Sequence, residues 1–145
     1  AKINEDNYTF GGEFSGHLWF KDRFPGFDDG IYAGLRLIEL LSNTDKSVSM
    51  LLQDIEHFIS TKEIKIHTTD EDKFKIVEYV KQYAKEKQYT FYTIDGVRIE
   101  FLDGFALVRA SNTGPDLTVR FEARTEERLA EIKQEFETVL SNFQK

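Results

Sequence analysis

The chain has 145 residues, 40% of them hydrophobic, which is enough for one ordinary domain or for a small domain with part of a neighbour. The formal net charge is −7, which argues against nucleic-acid or anionic-membrane partners because their binding needs a basic surface patch. The sequence contains no cysteine, which excludes disulfides, thiolate nucleophiles and cysteine-ligated metals. No apolar stretch approaches the roughly 20 residues of a membrane span, and the polar start lacks a signal-peptide core, so we expect a cytoplasmic protein.

The first third of the sequence predicts a strand, a loop, a second strand and a helix. The strands are expected at residues 8–12 and 17–20, on either side of a glycine-rich loop. Asp28 is the expected N-cap of the helix. Apolar residues recur at helical spacing in this helix: Ile31, Leu35, Ile38 and Leu41. These elements are too few for an independent domain, so residues 1–44 are predicted to be the tail of an α/β domain.

A weakly patterned segment, residues 45–61, follows this part and is expected to be a linker that acts as a hinge. Ser47 within it can cap a short amphipathic helix that ends near Leu52.

Residues 62–145 predict a self-contained α+β unit with the order β-α-β-β-β-β-α and an antiparallel sheet. The expected strands are 64–68, 91–94, 97–101, 105–110 and 117–123. The first helix carries an apolar stripe: Phe74, Val77, Tyr79, Val80 and Ala84. The last helix is expected to bury five apolar side chains: Leu129, Ile132, Phe136, Val139 and Leu140.

The glycine-rich loop combines groups that suit a sugar. Glu13 and Ser15 present a carboxylate and a hydroxyl, which match vicinal sugar hydroxyls because each of those donates and accepts. Glycine lets the backbone approach a ligand closely, and His17 could donate to a phosphate or transfer a proton. From composition alone, a hairpin loop with solvated polar residues is the simpler interpretation.

A second loop, residues 109–115, is rich in donors and has no acidic residue. Arg109 offers a bidentate fork for a phosphate, and the following hydroxyls and amides can form an anion-binding nest. A plain Asx or Ser/Thr turn between two strands explains the same residues equally well. Arg120, on the next strand, is either solvated or a second anion contact, and we expect it to be solvated.

At these two loops the chain resembles the α-D-phosphohexomutases, in particular their phosphomannomutase/phosphoglucomutase branch. Residues 12–17 (G-E-F-S-G-H) resemble the sugar-recognition loop of the family, and residues 109–113 (R-A-S-N-T) resemble its phosphate-binding loop. Further segments match in the same order: residues 20–23, 26–32, 95–98 and 119–123.

The resemblance implies a four-domain enzyme that moves phosphate between C1 and C6 of an aldohexose through a phosphoserine, with a magnesium ion in its second domain. This chain would supply the end of domain 3 and a TATA-box-binding-protein-like domain 4. The implied substrate-binding residues fall in both loops: Glu13, Phe14, Ser15, Gly16, His17, Arg109, Ala110, Ser111, Asn112 and Thr113. The implied partners are hexose phosphates and the remaining domains of the same enzyme.

The sequence also departs from the family pattern. Neither the phosphoserine loop nor the aspartate-rich magnesium loop occurs in it, so we expect no catalytic residue and no metal site in this chain, and no turnover by the chain alone. Gly114 and Asp116 are further departures that could weaken phosphate binding. The alternatives are a non-catalytic module that binds phosphosugars or other anions, and a domain that only docks a partner.

Overall fold

The computed structural model describes residues 5–13 and 15–143, in two compact units, Ala1–Ile55 and Glu56–Lys145. In the first unit, strands β1 (Phe10–Gly12) and β2 (Leu18–Phe20) form an antiparallel hairpin. The backbone amide of Glu13 donates to the carbonyl of His17 over 3.1 Å, which closes the loop between the two strands. The hairpin therefore presents residues 13–17 at its tip.

Two helices follow in this unit, α1 (Gly30–Ser42) and α2 (Val48–Leu51). Ser47 caps α2 as predicted, since its side chain accepts from the Met50 amide. The cap of α1 is Asp29, whose carboxylate accepts from the Tyr32 amide over 2.9 Å. The prediction of Asp28 as this cap is wrong by one residue, because the Asp28 carboxylate contacts His17 instead.

The apolar stripe of α1 is uncovered. Ile31 is 81% exposed, Ile38 63% and Leu35 57%, and no described residue of this helix is buried. An amphipathic helix gains most of its stability by burying such a face. A helix in the outer layer of a larger domain carries such a face and buries it against the next layer of that domain.

The second unit contains a six-stranded antiparallel sheet and two longer helices. Its elements are β3 (Ile59–Ser60), β4 (Ile64–His67), α3 (Asp72–Glu86), β5 (Thr90–Tyr92), β6 (Val97–Phe101), β7 (Gly104–Ala110), β8 (Asp116–Ala123) and α4 (Glu126–Phe143). The strand order is β3-β8-β7-β6-β5, and β4 pairs with β8 beside β3. This confirms the predicted α+β unit, apart from β3, which the pattern did not reveal.

The core of the second unit lies between the sheet and its helices. The alternating residues of β8 are buried as predicted: Leu117, Val119, Phe121 and Ala123. The five apolar residues predicted for α4 are buried as well. Among the helices that the described residues form, none has the length and apolarity needed to cross a membrane.

Helix α3 differs from its predicted register. Phe74 is 61% exposed and Tyr79 38%, whereas the buried positions are Lys73, Ile76, Val80 and Ala84. These four positions still follow helical spacing, but their first member is a lysine. The predicted stripe was wrong at its N-terminal end because a charged residue occupies the core-facing position.

Candidate ligand-binding loops

The hairpin loop between β1 and β2 brings together three of the residues that the sequence singled out. The Ser15 hydroxyl donates to the Glu13 carboxylate over 2.5 Å, and His17 Nε2 lies 3.9 Å from the same carboxylate. Gly16 has φ +87°, and a Cβ added there would meet no described atom within 4 Å beyond its chain neighbours. Phe14, also predicted to bind substrate, lies outside the described residues. The loop offers a carboxylate, a hydroxyl and an imidazole to solvent within a few ångströms.

His17 has a second acidic partner that sequence reasoning missed. Its Nδ1 contacts the Asp28 carboxylate, which the isolated bridge between Trp19 and Asp28 brings beside β2. The hydrogen bond to Asp28, then the charge of that carboxylate and of Glu13, raises the pKa of His17 above 6.5. The imidazole is therefore more fully protonated near neutral pH than an ordinary histidine.

The second loop joins β7 to β8, and we call residues 111–115 the β7–β8 loop. Ala110 is the last residue of β7 and lies opposite Leu117. The Ser111 amide donates to the Asp116 carbonyl over 2.8 Å, which extends the pairing by one hydrogen bond. Arg109, just before the loop, donates from Nη1 to the Asp95 carboxylate over 2.9 Å. Among the described residues the guanidinium donates one hydrogen bond, to Asp95, so most of its five donors remain for a ligand.

Inside the β7–β8 loop the Ser111 hydroxyl accepts from the Thr113 amide over 3.3 Å, which is a Ser/Thr turn. Asn112 and Thr113 are exposed. Neither the Asn112 amide nor its side chain has a hydrogen-bond partner within the described part of the chain. The turn interpretation is thus correct for Ser111, while Asn112 leaves donors pointing to solvent.

The most buried cation beside this loop is Lys73, which sequence reasoning did not select. Its side chain enters from the first turn of α3, and its ammonium donates to the Ser111 carbonyl over 2.9 Å and to the Gly114 carbonyl over 3.1 Å. A third bond reaches the Asp70 carboxylate over 2.7 Å. The helical spacing from Lys73 to Ile76 and Val80 was the signal that could have revealed it.

Three further residues of the second unit bear on the predictions made from the sequence. Arg120 is not solvated: its side chain is 18% exposed, and its Nη2 lies 3.3 Å from the Ser60 hydroxyl and 3.6 Å from the Glu122 carboxylate. The Asp116 carboxylate lies 3.1 Å from His67 Nδ1. Gly114 is outside the left-handed region, so the backbone there does not require glycine.

No group of three or more histidine, aspartate or glutamate side chains among residues 5–13 and 15–143 is arranged to hold a metal ion. Metal ligation is therefore not assigned to either loop.

Two family models match the chain in tandem. The phosphoglucomutase/phosphomannomutase alpha/beta/alpha domain III matches residues 1–58, and the phosphoglucomutase/phosphomannomutase C-terminal domain matches residues 63–139. The second match alone covers more than half of the chain. The chain belongs to the phosphoglucomutase/phosphomannomutase family.

Relatives within the phosphoglucomutase/phosphomannomutase family agree with this assignment. The chain is 44% identical to the phosphomannomutase/phosphoglucomutase of Pseudomonas aeruginosa, with 96% of the chain and 30% of that protein covered. It is 44% identical to the phosphoglucomutase of Neisseria gonorrhoeae, with 90% and 29% covered. A crystal structure of a phosphoglucomutase/phosphomannomutase family protein from Burkholderia thailandensis matches with a TM-score of 0.83 and 38% identity, covering 97% of this chain and 30% of that one.

The resemblance inferred from the two loop motifs is confirmed by these matches. The chain spans about 30% of the length of the curated relatives it matches, in the region of their domain III and C-terminal domain.

Proposed function

We propose that this chain is the substrate-binding C-terminal portion of a phosphomannomutase/phosphoglucomutase, an isomerase that interconverts hexose 1-phosphates and hexose 6-phosphates. In this proposal the β7–β8 loop and Arg109 bind the phosphate that does not react. The residues at that end are Arg109, Ala110, Ser111, Asn112 and Thr113. The hairpin loop binds sugar hydroxyls through Glu13 and Ser15, with His17 beside them.

The observation that carries the proposal is the donor set at the end of β7. The Arg109 guanidinium, the unpaired Asn112 amide and the exposed Thr113 hydroxyl lie within five consecutive residues that contain no carboxylate. Arginine forks, hydroxyls and consecutive amides are what proteins use to hold phosphate. In a chain with a net charge of −7, such a local concentration of donors supports an anion site built for one ligand.

The hairpin loop carries groups that fit the hydroxyls of a sugar. A carboxylate accepts hydrogen bonds from vicinal hydroxyls, a protonated His17 can donate, and the Ser15 hydroxyl, whose proton goes to Glu13, can accept. The bond from Ser15 to Glu13 already orients both groups before a ligand arrives. The Glu13 and Ser15 pair suits both glucose and mannose, so the substrate class is proposed as hexose phosphates.

The reacting groups are assigned outside this chain. The family resemblance implies a phosphoserine and a magnesium ion, but the described residues contain no cluster that fits a metal. We assign to this chain only substrate binding, and we propose that the hinge between its two units lies within residues 45–61, between α2 and β3. The remaining domains of the enzyme are the partners, and the cytoplasm is the proposed location.

Binding by the loops can be tested without the rest of an enzyme. Dissociation constants for mannose 1-phosphate, glucose 1-phosphate and unmodified mannose can be measured by ligand-observed NMR. We expect both phosphates to bind and mannose to bind far more weakly. Arg109→Ala should weaken phosphate binding at least about tenfold, because charged hydrogen bonds contribute roughly 1.5–3 kcal/mol each.

Arg124→Ala is the matched control. It removes the same charge from the same unit, but the Arg124 guanidinium bonds to Glu56 over 2.7 Å and belongs to neither loop. Equal losses in the two variants would mean that only net charge matters, and no binding by the unaltered chain would reject the proposal.

A further inference from the structure

Lys73 has an environment that ordinary lysines do not have. It is 6% exposed, whereas Phe74, the next residue of α3, is 61% exposed. Burying an ammonium is costly unless each of its protons finds an acceptor. All three do: one at the Asp70 carboxylate and two at backbone carbonyls of the β7–β8 loop. These hydrogen bonds indicate that Lys73 stabilises the conformation of the β7–β8 loop.

The two carbonyls belong to Ser111 and Gly114, at the beginning and near the end of the loop. The ammonium therefore joins backbone groups three residues apart and fixes the intervening turn. In a planar trans peptide the carbonyl and the next amide point in opposite directions. Because the Ser111 carbonyl points at Lys73, the Asn112 amide points away from it, towards solvent.

This geometry links a buried cation to the direction of a donor in the proposed phosphate site. Without Lys73, two carbonyls near the core would lose their hydrogen bonds, and the loop would turn to find other donors or water. The Asn112 amide would turn with it. The Thr113 amide donates to the Ser111 hydroxyl over 3.3 Å, and this long hydrogen bond offers weaker restraint.

We propose that Lys73 is a positioning residue, which holds the β7–β8 loop in the shape that binds the phosphate group of a hexose phosphate. The inference rests on the proposed function for its ligand, and on the hydrogen bonds of Lys73 for its mechanism. Lys73 acts through the backbone and does not itself touch the phosphate.

The test compares Lys73→Met with Lys75→Met in the complete chain. Lys75 lies on the same helix and its removal changes the net charge equally, but among the described residues its ion pairs are with Glu71 and Asp72 on the surface. The first readout is the backbone ¹⁵N–¹H heteronuclear NOE of residues 112–114, with Val108 and Val119 of the sheet as internal references. The second is the dissociation constant for inorganic phosphate.

We expect Lys73→Met to lower the loop NOE values, to leave those of the sheet unchanged and to weaken phosphate binding by about ten- to a hundredfold. Lys75→Met should match the unaltered chain. Lys73→Arg, which keeps the charge and several donors, should restore part of both properties and supplies the test if Lys73→Met does not fold.

Three results would overturn the inference: an unchanged loop in Lys73→Met, an equal loosening of loop and sheet, or a loosened loop with unchanged phosphate affinity. A different result separates it from the proposed function. If the unaltered chain binds no phosphate while Lys73→Met still loosens only the loop, the proposed function fails and the loop-holding role of Lys73 stands.

Discussion

His17 and Arg109, the two cationic side chains proposed to bind a hexose phosphate, are each paired with a carboxylate from another segment of the chain. His17 contacts Asp28, eleven residues later, and Arg109 contacts Asp95, fourteen residues earlier. Both pairs lie at the surface, where an ion pair contributes little to stability. We infer that Asp28 acts mainly on the protonation of His17, and that Asp95 mainly competes with a ligand for the Arg109 guanidinium.

The first residue-scale prediction concerns the protonation of His17. An NMR pH titration of its ring protons should give a pKa above 6.5, and Asp28→Asn should lower it towards 6.5 because Asp28 is the main cause of the shift. Since the pKa of His17 is raised in the folded state, protonated His17 stabilises that state. This stabilisation is complete below about pH 6.5 and is lost as the pH rises through the folded-state pKa. Glu13→Gln, which removes the smaller contribution, is the control. A pKa at or below 6.5 in the unaltered chain would contradict this account.

The second concerns the carboxylate beside Arg109. Asp95→Asn removes a negative charge that competes with phosphate for the guanidinium, so phosphate should bind more tightly, by up to about fivefold, the upper range of an exposed ion pair. Titration of inorganic phosphate at low and high salt measures this. Asp103→Asn is a control at the other hairpin turn, where the carboxylate pairs with Arg128. Weaker binding in Asp95→Asn would show that Asp95 is needed to orient Arg109.

At the scale of elements, the β5–β6 turn depends on one glycine. Gly96 has φ +77°, and a Cβ there would lie 2.4 Å from the Val108 carbonyl and 2.6 Å from the Arg109 Cα. Both contacts are with backbone that cannot give way without moving β7, which carries Arg109.

Gly96→Ala should therefore lower the free energy of unfolding by about 2 kcal/mol or more, since it combines backbone strain with a clash. Urea denaturation measures the change. Gly114→Ala is the matched control, because its φ is not left-handed and its new Cβ would meet only the end of the Asp116 side chain, 3.2 Å away. Equal free energies of unfolding for the two variants would contradict this prediction.

The elements best predicted from sequence are those whose patterns are local and strict. Strand β8 alternates polar and apolar residues, and α4 repeats its apolar residues at helical spacing, so their buried apolar residues were predicted one by one, although the buried Thr118 of β8 was not. Strand β3 was missed because it has two residues, and its partners Ala123 and Glu122 lie about sixty positions later. The register of α3 was missed because a buried lysine reads as a surface residue.

The same limit applies to the candidate loops. Their donor groups could be read from sequence, and the family resemblance placed them in order. The partners that set their geometry, Asp28, Asp95 and Lys73, are brought to them by tertiary structure. No local sequence pattern predicts such a contact, because each partner lies more than ten positions along the chain from the group that it contacts.

At the scale of the whole molecule, the chain matches about 30% of its relatives' length. The uncovered apolar face of α1 is what we expect of a helix that packs against further parts of domain III. The sequence lacks the phosphoserine and magnesium loops of the resemblance, so we predict no conversion of mannose 1-phosphate to mannose 6-phosphate by the purified chain. A coupled assay that detects such turnover would contradict the proposal that this chain binds substrate while the reacting groups belong to the rest of the enzyme.

We propose that the hairpin loop binds sugar hydroxyls and that the β7–β8 loop, with Arg109, binds phosphate. An amide-resolved NMR titration with inorganic phosphate and with mannose 1-phosphate tests it most directly. Phosphate should shift residues 109–114, mannose 1-phosphate should also shift residues 13–17, and Arg109→Ala should abolish the shifts of the first group. Shifts confined to other parts of the chain, or an Arg109→Ala variant that responds like the unaltered protein, would contradict the claim.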